Sequence, residues 1–212
     1  MHRRRSRRDY GRGISGVPVC ANVAVLASAI VVDHPYQRCG AIRDCMDLAV
    51  YAQLLKAAVK SRKKSAFDDL CFELEYEQLM HEHWPNDVFA FVLGALHDPV
   101  VCGLPGARSF ILSLYNDFEK LTTEQRTTLL EVFDTEADNF SDGMLRHSVS
   151  DMVARKYSPK TALGVFVQWA DADSPNRRHM ALVGLEVLVM ANRLDGKEQE
   201  MAQSLLIELN RR

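Results

Sequence analysis

The sequence has no Cys-x-x-Cys pair: its five cysteines, Cys20, Cys39, Cys45, Cys71 and Cys102, are odd in number and scattered. That spacing excludes a disulfide miniprotein and the usual zinc-ligand patterns, and free thiols on apolar faces suit a reducing, cytoplasmic setting. There is no Gly-x-x-x-x-Gly-Lys phosphate loop, no Gly-x-Ser-x-Gly elbow and no His-Glu-x-x-His pair. The mechanisms those motifs serve lose their usual support. No apolar run reaches the ~20 residues needed to cross a bilayer. The nearest, residues 17 to 32, runs from Val17 through Leu26 to Val32 with Asn22 inside it. From about residue 40 onward no stretch keeps the strict alternation of a half-buried strand.

What is present is an ordinary globular composition: 212 residues, 47% hydrophobic and 25% charged, enough for one domain or one domain plus a tail. The 26 Lys+Arg and 28 Asp+Glu are unevenly placed. Residues 1–16 hold six arginines against Asp9 alone, which leaves 20 basic and 27 acidic residues in the remainder. Residues 1–16 therefore read as a disordered basic arm on an acidic body. Residues 17–39 read as an apolar N-terminal segment. With Ser6-Arg7-Arg8 before it and Ala27-Ser28-Ala29 within it, that segment is also a candidate cleaved export signal, the alternative to a cytoplasmic location.

Residues 40–212 carry helical spacing throughout. Ile42, Cys45, Leu48, Ala49, Ala52, Leu55 and Val59 step by three and four, predicting a first helix that Arg62, Lys63 and Lys64 close. Ser65 with Asp68 predicts the cap of a second, whose buried side is Phe67, Leu70, Cys71 and Leu74. Beyond Trp84, Pro85, Pro105, Pro159 and Pro175 stand where a missing amide hydrogen costs nothing, and Thr122 with Gln125 forms a capping box. With Ser141 they predict helices at 85–97, 105–120, 122–134, 141–156, 158–171 and 174–192, then 196–209.

Alternate helices start at 85, 122 and 158, and their partners at 105, 141 and 174, so a two-helix unit recurs. The first helix of a unit is apolar over most of its circumference, as in Val88, Phe89, Phe91, Val92, Leu93 and Leu96. It must lie between neighbours, because each large side chain left in water would forfeit about 1.5–3 kcal/mol. In Asp171 or Asp173, Pro175, Arg177, Ala181, Gly184, Leu185 and Leu188, the chain resembles the HEAT/armadillo class of helical repeats. Asp98 with Arg108, and Asp134 with Arg146, match the same pattern less fully. The resemblance implies an all-α fold of stacked antiparallel hairpins, a short HEAT-like α-solenoid with units at about 85–120, 122–156 and 158–192. An irregular helical bundle is the alternative.

The resemblance implies a non-enzymatic scaffold or adaptor, without a cofactor, that binds another protein in a groove lined by the second helices. Arg108, Arg146, Arg155, Arg177 and Arg178 lie on those helices and suit an acidic or phosphate-bearing segment. His97-Asp98 resembles the doublet of metal-dependent HD phosphohydrolases, which would need Asp171 and His81 or His83 to complete a metal site. Glu75, Glu77, His81, Glu82 and His83 also cluster near one helix end, but Glu77 and His81 are four apart where a di-iron bundle needs three. Asp195-Gly196 with Glu198 and Glu200 resembles the acidic turn of TerB-like domains. A third function is weak nucleic-acid binding through the arginine arm, which the acidic body opposes.

Overall fold

Helix caps written into the sequence set most of the element boundaries. In the computed structural model, residues 48–78 and 81–211 are described. The basic arm, the apolar segment and Cys20, Cys39 and Cys45 lie outside them. The described chain forms ten α-helices: α1 (Leu48–Ser61), α2 (Lys64–Gln78), α3 (Asn86–His97), α4 (Pro99–Cys102), α5 (Arg108–Asn116), α6 (Thr123–Glu136), α7 (Gly143–Lys156), α8 (Pro159–Asp171), α9 (Pro175–Met190) and α10 (Gly196–Leu209). A 3-10 turn, Phe118–Lys120, follows α5. No strand occurs among the described residues, and none of these helices is long and apolar enough to cross a membrane.

Thr122 caps α6 in a full capping box with Gln125, and Ser158 and Ser174 cap α8 and α9 directly ahead of Pro159 and Pro175. Replacing Thr122 with Ala is expected to cost about 1 kcal/mol and lower the melting temperature by roughly 2–4 °C in a thermal scan. Two starts move. Asp142 rather than Ser141 caps α7, its carboxylate accepting the Leu145 amide at 2.9 Å. Ser65 lies inside the first turn of α2 rather than at its cap.

The helix expected over 105–120 is shortened to α5 and the 3-10 turn, and a separate short helix, α4, forms in the linker ahead of it. Asp98 caps α4 with Pro99 in its first turn, and Gly106 is pressed so close to α2 that a Cβ there would stand 2.2 Å from the Phe67 ring. Residues 103–107 pass over Phe67 as a turn, and the helix starts at Arg108 instead of Pro105.

Packing follows a simple rule. Helices next to each other in the chain pair as α1 with α2, α7 with α8, α8 with α9 and α9 with α10. Helices two or three apart also meet: α2 with α5, α5 with α7 and α7 with α9 follow one another, and α1 meets α3, α3 meets α6 and α8 meets α10. The core among them holds the fully buried Phe67, Trp84, Phe110, Phe133, Phe140, Phe166 and Trp169. The helices predicted to be apolar all round, α3 and α8, have neighbours that cover them: Val88, Phe89, Val92, Leu93 and Leu96 are buried on α3, and Ala162, Leu163, Phe166 and Trp169 on α8.

Candidate interaction surface

Polar side chains tie helices that are distant in sequence together at a nearly fixed separation along the chain. Hydrogen bonds from side chains to distant parts of the described chain join residues 31 to 43 positions apart. Arg108 Nε donates to Ser148 Oγ at 2.8 Å, joining α5 to α7. Gln125 Nε2 donates to the Trp84 carbonyl at 2.9 Å and to Asn86 Oδ1 at 3.0 Å, joining α6 to the start of α3. Tyr157 donates its hydroxyl to the Arg126 carbonyl at 2.8 Å.

The densest junction lies between α6, α8 and α9. Asp134 Oδ1 accepts from Trp169 Nε1 at 2.8 Å and from Arg177 Nη1 at 2.9 Å, while Arg177 Nη2 reaches the Asp134 carbonyl at 2.7 Å. Arg177 Nε also points at Asp138 Oδ2, 3.4 Å away, and Ser174 bonds the other oxygen of that carboxylate. Arg177 thus pairs with an aspartate of α6, not with Asp171 or Asp173 just ahead of its own helix.

The five arginines named from sequence are placed differently from one another. Arg177 is a tie within the fold, its side chain 19% exposed. Arg146 donates to the Phe140 and Ser141 carbonyls at 2.7 and 2.9 Å and closes the turn before α7. Arg108 belongs to the α5–α7 junction. Arg155 is half exposed and pairs with Asp151 one turn earlier, at 2.7 Å. Arg178 bonds the Ala172 carbonyl at 2.9 Å and, with His179, Leu182 and Leu209, bounds an open cleft of about 190 Å3.

His97, Asp98 and Asp171 are not brought together. Asp98 Oδ1 accepts the Val100 amide at 2.8 Å as the cap of α4, and Asp171 ends α8 beside Leu205 and Leu209 of α10. His97 donates Nδ1–H to Glu136 Oε1 at 2.8 Å, joining α3 to α6. Among the described residues no group of three or more His, Cys, Asp or Glu is placed to hold a metal ion. His81, Glu82 and His83 are exposed in the turn before Trp84, and Asp195 caps α10 through the Glu198 amide at 3.0 Å. Cys71 and Cys102 are buried; burial, aided by nearby carboxylates, pushes both thiols up, Cys102 to about 12, so neither is a ready nucleophile at neutral pH.

Glu136 is the titrating group that matters for this framework. Burial acts to raise its pKa, but hydrogen bonds from Asn139 and His97, with the charge of His97, outweigh it and hold the carboxyl below its ordinary value of 4.5. A group more acidic in the fold than in the unfolded chain stabilises fully above its unfolded pKa and loses that contribution as pH falls through the folded one. The melting temperature of wild type is therefore expected to exceed that of Glu136→Gln at neutral pH, with the gap closing as pH drops below about 4. A gap that persists unchanged in acid would contradict this assignment.

Two surface residues escaped the sequence reading. Phe72 and Tyr76, on α2, are each 61% exposed. They stand one turn apart and opposite the Phe67, Leu70, Cys71 and Leu74 stripe, and that opposition is the signal by which they can be found. Compared with protein-family models, curated proteins and solved structures, the chain has no match.

Proposed function

We propose that this chain is a non-enzymatic interaction scaffold, a short HEAT-like stack of helical hairpins that binds another protein along the outer faces of α2, α5, α7 and α9. The observation that carries the reading is the register of the junctions: side-chain hydrogen bonds recur 31 to 43 residues apart, about one hairpin. Helices that meet the equivalent helix of the next hairpin build a core by stacking and leave a row of outer faces free for a partner. The polar groups also favour this reading. Asp98, Asp134, Glu136 and Arg177 are spent on caps and ties between helices rather than converging on one point.

On the α7–α9 part of the row, Arg155 and Arg178 offer guanidinium groups to a carboxylate or phosphate, since neither is enclosed in a junction. The test is affinity capture from the native source with full-length protein and the Arg155→Glu/Arg178→Glu variant, followed by identification of the bound chains. A protein held by wild type and released by the variant, with helical content by circular dichroism unchanged, is the expected result. Metal-dependent phosphatase activity that disappears in His97→Ala/Asp98→Ala would overturn the reading.

A further inference from the structure

The outer face of α2 carries an aromatic pair, Phe72 and Tyr76, each 61% exposed. Single exposed apolar residues are common, but this pair is extended by a neighbour on the next helix. Asp68 accepts a hydrogen bond from Ser109, and Glu75 accepts one from Asn116 Nδ2 at 3.4 Å, so α2 and α5 run parallel with a constant offset of 41 residues. Phe72 lies between Asp68 and Glu75, and Leu112 lies between Ser109 and Asn116. The two therefore stand within one residue of the same level across the seam, and Leu112 is 39% exposed.

This apolar strip is edged by carboxylates. Residues 65–80 contain five acidic residues, among them Asp68, Asp69 and Glu75, and no lysine or arginine. Lys64, at the start of α2, is 4.0 Å from Asp68 across a solvent-exposed pair, a contact of little strength that a better placed cation displaces. A purely apolar partner would strip water from these carboxylates without pairing them, and an acidic one would be repelled. A segment with apolar residues on one face and Lys or Arg at its margins meets both demands: its apolar face covers the rings, its cations reach the carboxylates, and its alkyl stems lie along Phe72 and Tyr76.

We propose that the outer face of α2 and α5 is a docking site for a basic amphipathic helix of another protein, with Phe72, Tyr76 and Leu112 as the apolar floor and Asp68 and Asp69 as the charged margin. This site rests on the scaffold reading above and gives one end of the row a partner of defined chemistry.

The probe is a fluorescein-labelled peptide of about 18 residues, leucine at helical spacing and lysine elsewhere, compared by anisotropy with its glutamate counterpart on the full chain. Saturable binding of the lysine peptide alone is expected, weakened at least about tenfold by Phe72→Ser/Tyr76→Ser. Asp69→Lys, a surface change away from the core, should weaken it severalfold, so the proposal stays testable if the double variant unfolds. Arg155→Glu/Arg178→Glu should leave peptide affinity unchanged; its loss of the captured protein reports separately on the scaffold reading. Equal binding of both peptides, or unchanged affinity in both α2 variants, would overturn the proposal. So would a concentration-dependent dimer, seen by sedimentation and abolished by Phe72→Ser/Tyr76→Ser, that excludes the peptide.

Discussion

Gly184→Ala is expected to destabilise the protein by about 2–4 kcal/mol, although the same change in an exposed helix would gain about 1 kcal/mol. Gly184 lies in the middle of α9, where it faces α8. A Cβ at this position would stand 2.1, 2.3 and 2.6 Å from three carbons of the Phe166 ring. That ring has no room to retreat. Phe166 is fully buried and packs edge-on against Trp169 with ring centroids 5.8 Å apart, and Trp169 is itself anchored to Asp134. The methyl group must therefore push α8 and α9 apart or force Phe166 off its rotamer. Denaturant unfolding checks the size of the loss. Trimming the ring in Gly184→Ala/Phe166→Leu should recover part of it, giving a coupling of at least about 1 kcal/mol in the double-mutant cycle. Strict additivity would mean that the two residues do not share the space the structure assigns them.

Removing the arginine at the α6–α8–α9 junction should cost a similar amount. Arg177→Ala deletes the two bonds to Asp134 at 2.9 and 2.7 Å and the longer contact with Asp138, and leaves Asp134 with the Trp169 indole as its remaining partner there. Hydrogen bonds to charged groups contribute about 1.5–3 kcal/mol each when sheltered, and the partial exposure of Asp134 moderates the total, so a loss of about 2–4 kcal/mol is expected. Arg177→Lys should recover less than half of it, because one ammonium cannot reach the side-chain and main-chain oxygens of Asp134 in the forked geometry. Asp134→Asn keeps an acceptor for Trp169 but removes the charge, and should fall between wild type and Arg177→Ala. The near-ultraviolet circular dichroism of Trp169 gives a local readout, with Trp84 the one other tryptophan in the chain. Full stability in Arg177→Ala would show that apolar stacking alone holds α9 on α6.

How much of this was readable in the residues depends on whether the signal is local. Capping residues act within one turn, so Thr122 with Gln125, Ser158 and Ser174 announced the starts of α6, α8 and α9 to within a residue. The all-round apolar character of α3 and α8 announced that each lies between neighbours. The shortening of the helix expected over 105–120 was legible only in part. Pro99, Gly103 and Gly106 stand where a turn is cheap, but the contact that presses Gly106 against Phe67, 39 residues earlier, exists only once α2 and this turn are packed.

The candidate surface divides along the same line. Placement of the five arginines on second helices follows from periodicity, yet nothing local says that Arg177 is absorbed by Asp134 while Arg155 stays at the surface. Likewise the His97-Asp98 doublet is plain in the residues, whereas the pairing of His97 with Glu136 and the capping role of Asp98 depend on where α6 and α4 come to rest. Residue order alone settles helix content and most caps, because hydrogen bonding and amphipathic period are short-range. Which polar groups are consumed in holding helices together, and which aromatic and charged faces stay exposed, is settled by contacts between residues 31 to 43 positions apart, and those exist only once the helices are packed.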